Sequence, residues 1–533
     1  MTIDSPTVGR ILRAQARSRP DRALLICDDE RLDYVTAQRR SARLARGLIA
    51  LGAGKGTHIG LLYPNGVDFV VGALAAARIG AVVVPFSTFA TAREMHQQLV
   101  DADIRILLAT SAYRSHDYVR RLSDVLTESR FGAGGRLLCS AVPQLRHVAI
   151  SYGGDIRRRV RDIGGLDRLA ESVDDELLEA MENDVDGSDP LAVIYTSGST
   201  STPKGVVHTH GALLEHQTNL NGIRGLTEAD ILFCNSPFFW IGGFGFGLLA
   251  TLVAGSTLVC SNATDAGATL DLLEAEKPTV TNGFAAGVAH LARHPSFAAR
   301  DLSSMRRGNL YAIMPEQVRP SDPELRHNML GMTEAGSVLL ISDDDGDQPE
   351  SRRGSFGRPA PGFDIRVVDP DTGAEVAAGE VGILCIRGPY VMQGYYKRSR
   401  EECFDPDGWF HTGDLVRVDD EGFVYYLGRH GSMIKTAGAN VSPVEVEKAI
   451  TKITDSVAHV IGLPDPDRGQ VVAAVVVSPH GDALDETELR ERLGTELSAY
   501  KIPKRFISVQ AADIPLLSSG KVDSHRLGKL FDA

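Results

Sequence analysis

The sequence predicts an α/β protein: a large N-terminal domain of two parallel-sheet subdomains with a small β-rich subdomain, followed by a small α+β C-terminal domain. Three observations carry this reading. Short apolar runs alternate with longer amphipathic ones through the first third of the chain and again near 191–261. From Gly354 to Arg429 the texture changes to short alternating strands separated by turn residues. Past residue 430 a fresh helix start and new strands appear, and the 533 residues are enough for two or more packed domains.

Taken in order, "HIGLLYP" (58–64) and "AVVVP" (81–85) are short enough and apolar enough for buried strands, while "GVDFVVGALAAARIG" and "ATAREMHQQLVDA" have helical length. Strand, helix, strand, helix implies parallel sheets covered on both faces. The stretch 152–190, with "YGGDIRRRVRDIGG" and "NDVDGSDP", is polar and is expected to be surface linkage. "LAVIYT" (191–196) and "STLVCS" (256–261) resume the strands. In the β-rich part, "FDIRVVDPDTGAEV" and "VGILCIRG" alternate, with Asp369 to Gly373 supplying a turn. A boundary is placed near 430, giving domains 1–429, with the β-rich subdomain at about 354–429, and 430–533. Ser442, Pro443 and Glu445 form the start of a helix as N-cap, first helical residue and capping-box partner. Strands "VAHVIG" and "VVAAVVV" and helix "ETELRERLGTELS" follow.

A net charge of −13 argues against a protein built to neutralise nucleic-acid phosphates, so a small solute is the expected partner. Oligomeric state is open, a homodimer included. The six cysteines contain no C-x-x-C pair and are expected to be reduced, mostly buried thiols. The N-terminus carries Arg and Asp where a secretory signal needs an apolar core, so a cytoplasmic location is expected. Residues 231–264 contain no charge, long enough to span a bilayer, yet Asn235, Pro237, five glycines and acidic flanks favour buried interior or the wall of an apolar pocket.

"IYTSGSTSTPKGVVHTH" (194–210) follows an apolar strand with small hydroxyl residues, glycine and one lysine, the ingredients of a phosphate cradle. It is not a Walker A loop, because Pro203 precedes Lys204 and Gly205 follows it. A flexible linker is the competing reading. His208 and His210 lack a third ligand nearby and are read as solvent-facing, with no metal assigned.

Together with "GMTEAG" (331–336), "GWFHTGDL" (408–415), "YYLGRHGSMIKTAGANVSPVEVE" (425–447) and "PLLSSGKV" (515–522), in that order, this loop resembles the adenylate-forming enzymes: acyl- and aryl-CoA synthetases, luciferases and nonribosomal adenylation domains. The resemblance spans nearly the whole chain. It implies ATP, Mg2+ and CoA as cofactors and a reaction in which a carboxylate attacks the α-phosphate, pyrophosphate leaves, and the acyl-adenylate passes to a thiol. Such chemistry needs positive charge and fixed geometry rather than a protein nucleophile.

By resemblance, Thr196, Ser197, Gly198, Ser199, Thr200 and Lys204 cradle the β- and γ-phosphates, Glu334 and Thr196 hold magnesium, and Thr333 lies near the α-phosphate. Asp414 accepts the ribose hydroxyls, supported by Arg429; alone, Asp414 also reads as a turn residue after Gly413. Lys521 is the lysine that stabilises charge in the first half-reaction. The C-terminal domain is then expected to rotate about Gly431, presenting Lys435, which is either a group acting in thioester formation or an exposed strand lysine.

Departures fall in the base and acyl pockets. Leu330 stands where relatives often carry an adenine-stacking aromatic, and the adenine segment has no clear match upstream. Trp240 stands where many relatives carry His; it either lines the acyl pocket or packs in the core. With Gly243, Gly245 and Gly331, and "TNGFAAGVAH" (281–290), it is expected to build a roomy uncharged pocket for an apolar acid: fatty, steroid- or terpenoid-derived, or aryl. The leading expectation is an AMP-forming acyl-CoA synthetase. An acyl-AMP ligase feeding a carrier protein and a nucleotide-binding protein without catalysis are the alternatives.

Overall fold

The structure is a computed structural model that describes residues 5–127, 129–132, 135–151, 161–196, 204–430, 434–436, 439–441, 443–465, 468–478, 484–497, 499–517 and 522–532. It forms two compact units. The first comprises residues up to Arg353 with Gly357–Phe363 and Gly388–Cys403; the second comprises Gly354–Phe356, Asp364–Arg387 and Phe404–Ala533.

Two sheets build the first unit. One runs in the spatial order Arg161–Asp162, His147–Ser151, Ile106–Thr110, His58–Leu62, Val82–Pro85, Pro190–Thr196, Lys204–Thr209, Gly394–Tyr395. It is parallel up to Pro190–Thr196, and its last two strands are antiparallel. The other runs Arg307–Gly308, Val280–Asn282, Ile231–Cys234, Thr257–Cys260, Ala23–Cys27, Glu30–Asp33, and only the final pair is antiparallel. The helix Val67–Arg78 is buried at every residue but Asp68, which is why "VDFVVGALAAAR" has no polar face. Leu61 of one sheet and Leu25 and Leu258 of the other share its core. Buried parallel strands have no solvent face, hence their continuous apolar runs.

The stretch 161–190, expected to be linkage, instead folds into the helices Ile163–Ala170 and Asp175–Asp184, burying Leu166, Ala170 and Leu178. Their apolar positions are few enough to be masked by surrounding charge. One of those charges is itself internal: Glu182 pairs with Arg78 at 2.5 Å and Arg13 at 3.0 Å, and Arg78 also donates to Gln38 O and Ser41 Oγ. A buried guanidinium is tolerable only when paired in this way.

The uncharged stretch 231–264 lies inside this unit as a strand, a π-helix (Phe244–Leu249), a short helix and a second strand. Among the described residues no helix is long and apolar enough to cross a membrane. All six cysteines are unbridged and buried.

The second unit carries an antiparallel sheet of Asp364–Val368, Val381–Arg387, Phe410–Val418 and Val424–Arg429, with Thr372 N donating to Asp369 Oδ1 in the expected turn. It also carries a mixed sheet whose long hairpin, Ala458–Asp465 with Gly469–Val477, is flanked by Arg505–Val509 in parallel. The helices Pro443–Thr454 and Glu486–Glu496 cover it through Val446, Ile450, Leu489 and Leu493.

Candidate active site

In the first unit, the strands Pro190–Thr196 and Lys204–Thr209 pair antiparallel, and Thr196 is the direct partner of Lys204. The two ends of the hydroxyl-rich segment are therefore pinned side by side. Ser197, Gly198, Ser199 and Thr200 lie outside the described residues. Lys204 forms no ion pair among the described residues; its Nζ sits 4.9 Å from the ring centroid of Tyr395. That tyrosine, on the edge strand next to Lys204–Thr209, donates its hydroxyl to Glu334 Oε1 at 2.8 Å.

Glu334 occupies a single 3-10 turn, Thr333–Ala335, between the strands Leu330–Met332 and Ser337–Ile341. Four contacts hold the turn. His208 Nε2 donates to Thr333 O at 2.6 Å, Met392 N to Glu334 O at 2.8 Å, and Gln217 Nε2 to Ser337 Oγ at 3.1 Å, while His216 Nε2 donates to Val338 O at 2.9 Å. Gly336 is left-handed at φ 69°, and Ser337 follows at φ 148°, a conformation that costs a side chain about 1–3 kcal/mol and persists only where its surroundings impose it. Gln217 and the pairing with Met332 impose it here.

His208 and His210 are fully buried, not solvent-facing. Along the strand Lys204–Thr209, Val206 and His208 share the inward face, a period-two signal already present in "KGVVHTH", and His210 opens the helix that follows. Desolvation lowers His208, His210 and His216 to about 4, so all three are neutral at physiological pH. The acceptor carbonyls of Thr333 and Val338 require the proton on Nε2 of His208 and His216.

Trp240 is half-buried, meeting Phe239 edge-on at 5.4 Å and Phe284 at 5.3 Å. Phe284 is 52% exposed, and Asn235 holds its backbone by accepting from Phe284 N and donating to Phe284 O. The expected spacious glycines are instead sites of close approach. A Cβ at Gly243 would lie 2.1 Å from Pro237 O, and one at Gly331 2.8 Å from Ser337 O; at Gly245 it would lie 3.1 Å from Gly336 O. Gly245 and Gly331 thus both press on the backbone that follows Glu334. Composition signals small residues, but backbone packing decides what the smallness is for.

In the second unit, Asp414 lies within the strand Phe410–Val418 rather than in a turn, opposite Arg429. Arg429 donates Nε to Asp414 Oδ1 at 2.8 Å and Nη2 to Thr412 O at 3.3 Å. Thr412 Oγ1 accepts from Asp414 N and donates to Leu384 O, fixing the strand where Gly413 takes φ 75°. Asp414 is 4% exposed, and the Arg429 guanidinium supplies the opposite charge beside its carboxylate. Gly431 and Lys521 lie outside the described residues, as does the side chain of Lys435. Tyr395, Gln217 and Thr412 escaped sequence reasoning: Tyr395 is marked only by an aromatic pair after Gly394, and Gln217 by nothing local.

Among the described residues no three His, Cys, Asp or Glu side chains gather as a metal cage. A magnesium bound chiefly through phosphates and water needs only one or two carboxylates, and Glu334 fits that demand because Tyr395 is the only described donor to its carboxylate, on Oε1.

The family model for AMP-binding enzymes matches residues 12–396, and that for the AMP-binding enzyme C-terminal domain matches 445–521. A putative acyl-CoA synthetase, YngI of Bacillus subtilis (strain 168), is 30% identical over 535 residues, covering 98% of this chain and 96% of its own. Feruloyl-CoA synthase of Amycolatopsis sp is 32% identical over 519 residues, covering 95% and 96%. Among solved structures, the anthranilate CoA ligase AuaEII in complex with anthranoyl-AMP superposes with a TM-score of 0.83 at 22% identity, covering 99% of this chain and 98% of its own. ATP-bound MatB from Rhodopseudomonas palustris gives 0.79 at 25% identity, covering 99% of each.

Proposed function

We propose that this chain, which belongs to the AMP-binding enzyme family and is an AMP-forming acid–CoA ligase, activates an apolar carboxylic acid, of the fatty, steroid- or terpenoid-derived or aryl class. The acid's carboxylate attacks the α-phosphate of ATP, pyrophosphate leaves, and CoA sulfur then displaces AMP to form the thioester. The observation that carries the nucleotide reading is the pair Lys204 and Glu334. A cation and a carboxylate contact the same tyrosine, and neither forms an ion pair among the described residues.

In this reading Thr196 to Lys204 take the β- and γ-phosphates, and Thr333 lies beside the α-phosphate. Glu334 and Thr196 hold Mg2+, which when bound neutralises the phosphate charge. Asp414, acceptor-only when ionised, takes the vicinal ribose hydroxyls while Arg429 orients it. Lys521 stabilises the charge developing during adenylation, Gly431 is the pivot between a domain 1–429 and a domain 430–533, and Lys435 serves the thiol step. Support for an apolar acid comes from the charge-free stretch 231–264 and from Trp240 flanked by Phe239 and Phe284. In this reading Gly243, Gly245 and Gly331, sites of close backbone approach, belong to the wall of the acyl pocket. Relatives named for ferulate, coumarate and medium-chain acids agree with it.

The test is incubation with Mg-ATP and a panel of apolar acids, following pyrophosphate, AMP and acyl-CoA with and without CoA. AMP and acyl-CoA appearing only when acid and CoA are both present is the expected result. Adenylate accumulating in spite of CoA would point to a carrier-protein acceptor, and turnover confined to charged or amino acids would overturn the apolar assignment.

A further inference from the structure

Tyr395 is placed between two groups that would otherwise cancel. A lysine and a glutamate in one half-buried site ordinarily pair, since opposite charges a few ångströms apart attract more strongly as water is excluded. Here the two are held by different parts of one phenol. The Lys204 ammonium lies 4.9 Å from the ring centroid, within the range where the negative face of an aromatic ring attracts a cation. The Glu334 carboxylate accepts the hydroxyl at 2.8 Å through Oε1. A ring face holds a cation without supplying a counter-charge, and a single hydroxyl bond leaves a carboxylate its charge and its second oxygen.

The backbone fixes this arrangement from three sides. Tyr395 is in register with Val206, two residues from Lys204 on the adjoining strand. Tyr396 N donates to Gly205 O at 2.7 Å, and Met392 N to Glu334 O at 2.8 Å. The Tyr395 N–H reaches Cys403 Sγ at 3.3 Å. The segment carrying the tyrosine is thus bonded both to the strand carrying the lysine and to the turn carrying the glutamate.

We propose that Tyr395 is a positioning residue that keeps Lys204 and Glu334 apart and separately ready, the lysine for nucleotide phosphate and the carboxylate for the divalent cation. This inference rests on the assignment of Lys204 and Glu334 to Mg-ATP. The hydroxyl serves the metal side and the ring serves the phosphate side, so the two functions separate by substitution. Tyr395→Phe keeps the ring and loses the hydroxyl. Tyr395→Leu loses both and allows Lys204 to collapse onto Glu334.

The experiment measures two binding constants on the full-length protein: ATP in the presence of a chelator by calorimetry, and Mn2+ to the protein–ATP complex by the loss of the free-ion electron paramagnetic resonance signal. Tyr395→Phe should weaken Mn2+ binding about three- to tenfold, the net effect of losing one ordinary hydrogen bond. Its chelator ATP affinity should stay within about twofold of wild type. Tyr395→Leu should weaken both. Wild-type Mn2+ binding in Tyr395→Phe, or unchanged chelator ATP affinity in Tyr395→Leu, would overturn the proposal. Glu334→Gln separates the two levels. If it weakens Mn2+ binding while Tyr395→Phe does not, only the role of Tyr395 fails; if Glu334→Gln itself binds Mn2+ normally, the metal assignment beneath it fails as well.

Discussion

Acid should loosen the first unit through the three histidines that brace its core, and His208 allows this to be tested one ring at a time. Its Nε2–H is committed to Thr333 O, its Nδ1 is buried with no partner among the described residues, and burial holds it at about 4 against an ordinary 6.5. The folded value lies below the unfolded one, so between pH 6.5 and 4 the unfolded chain binds the extra proton. Stability is therefore full above pH 6.5 and is lost as the pH falls toward 4. Moving from pH 7.5 to pH 5 costs about 2 kcal/mol for one such ring, and about 6 kcal/mol for His208, His210 and His216 together. His208→Gln keeps an amide N–H for Thr333 O but cannot titrate. Urea unfolding followed by Trp240 fluorescence, with Trp409 replaced by Phe, measures stability at pH 7.5, 6 and 5. The variant should lose about 2 kcal/mol less than its parent between the extremes. An identical loss in both would refute the neutral buried ring.

Three further outcomes are expected. Lys521→Ala should lose acid-dependent pyrophosphate release by a factor of about a hundred or more while still converting preformed acyl-adenylate and CoA to thioester; equal loss of both half-reactions contradicts its role. Asp414→Asn should weaken ATP binding about tenfold or more, because the amide presents one acceptor where the carboxylate presents two and no longer pairs with Arg429; calorimetry with ATP and with inorganic pyrophosphate should show only the former affected. Gly243→Ala places a carbon 2.1 Å from Pro237 O, forcing the turn after Trp240 to shift; a fall in melting temperature of several degrees and altered Trp240 emission are expected, and a wild-type melting curve excludes the close packing.

Much of the fold was legible because its signals are local. "HIGLLYP", "AVVVP" and "LAVIYT" are strands because continuous apolar runs of that length suit a sheet buried on both faces, and Asp369 to Gly373 turn because their side chains bond their own backbone. The helices at 163–170 and 175–184 were missed because their buried positions are sparse among charges, and one of those charges, Glu182, is itself buried against Arg78. The site divides in the same way. Motif order marked Lys204, Glu334, Asp414 and Arg429, and pairing across strands joined Asp414 to Arg429.

What the sequence by itself determined is the inventory: an α/β chain with a charge-free interior stretch, a hydroxyl-rich loop with one lysine, and five motifs in a family's order. Those are properties of neighbouring residues, and neighbours are what local propensity and side-chain period report. Tertiary structure alone decided that His208 clamps Thr333, that Ser337 is held at φ 148° by Gln217, and that Tyr395 stands between Lys204 and Glu334. The tyrosine joins residues 61 and 191 positions away, and the two clamps join residues 120 and 125 apart, by hydrogen bonds and ring contacts that exist only once sheets and turns have packed. No periodicity in the chain encodes such a meeting; it is set by strand order.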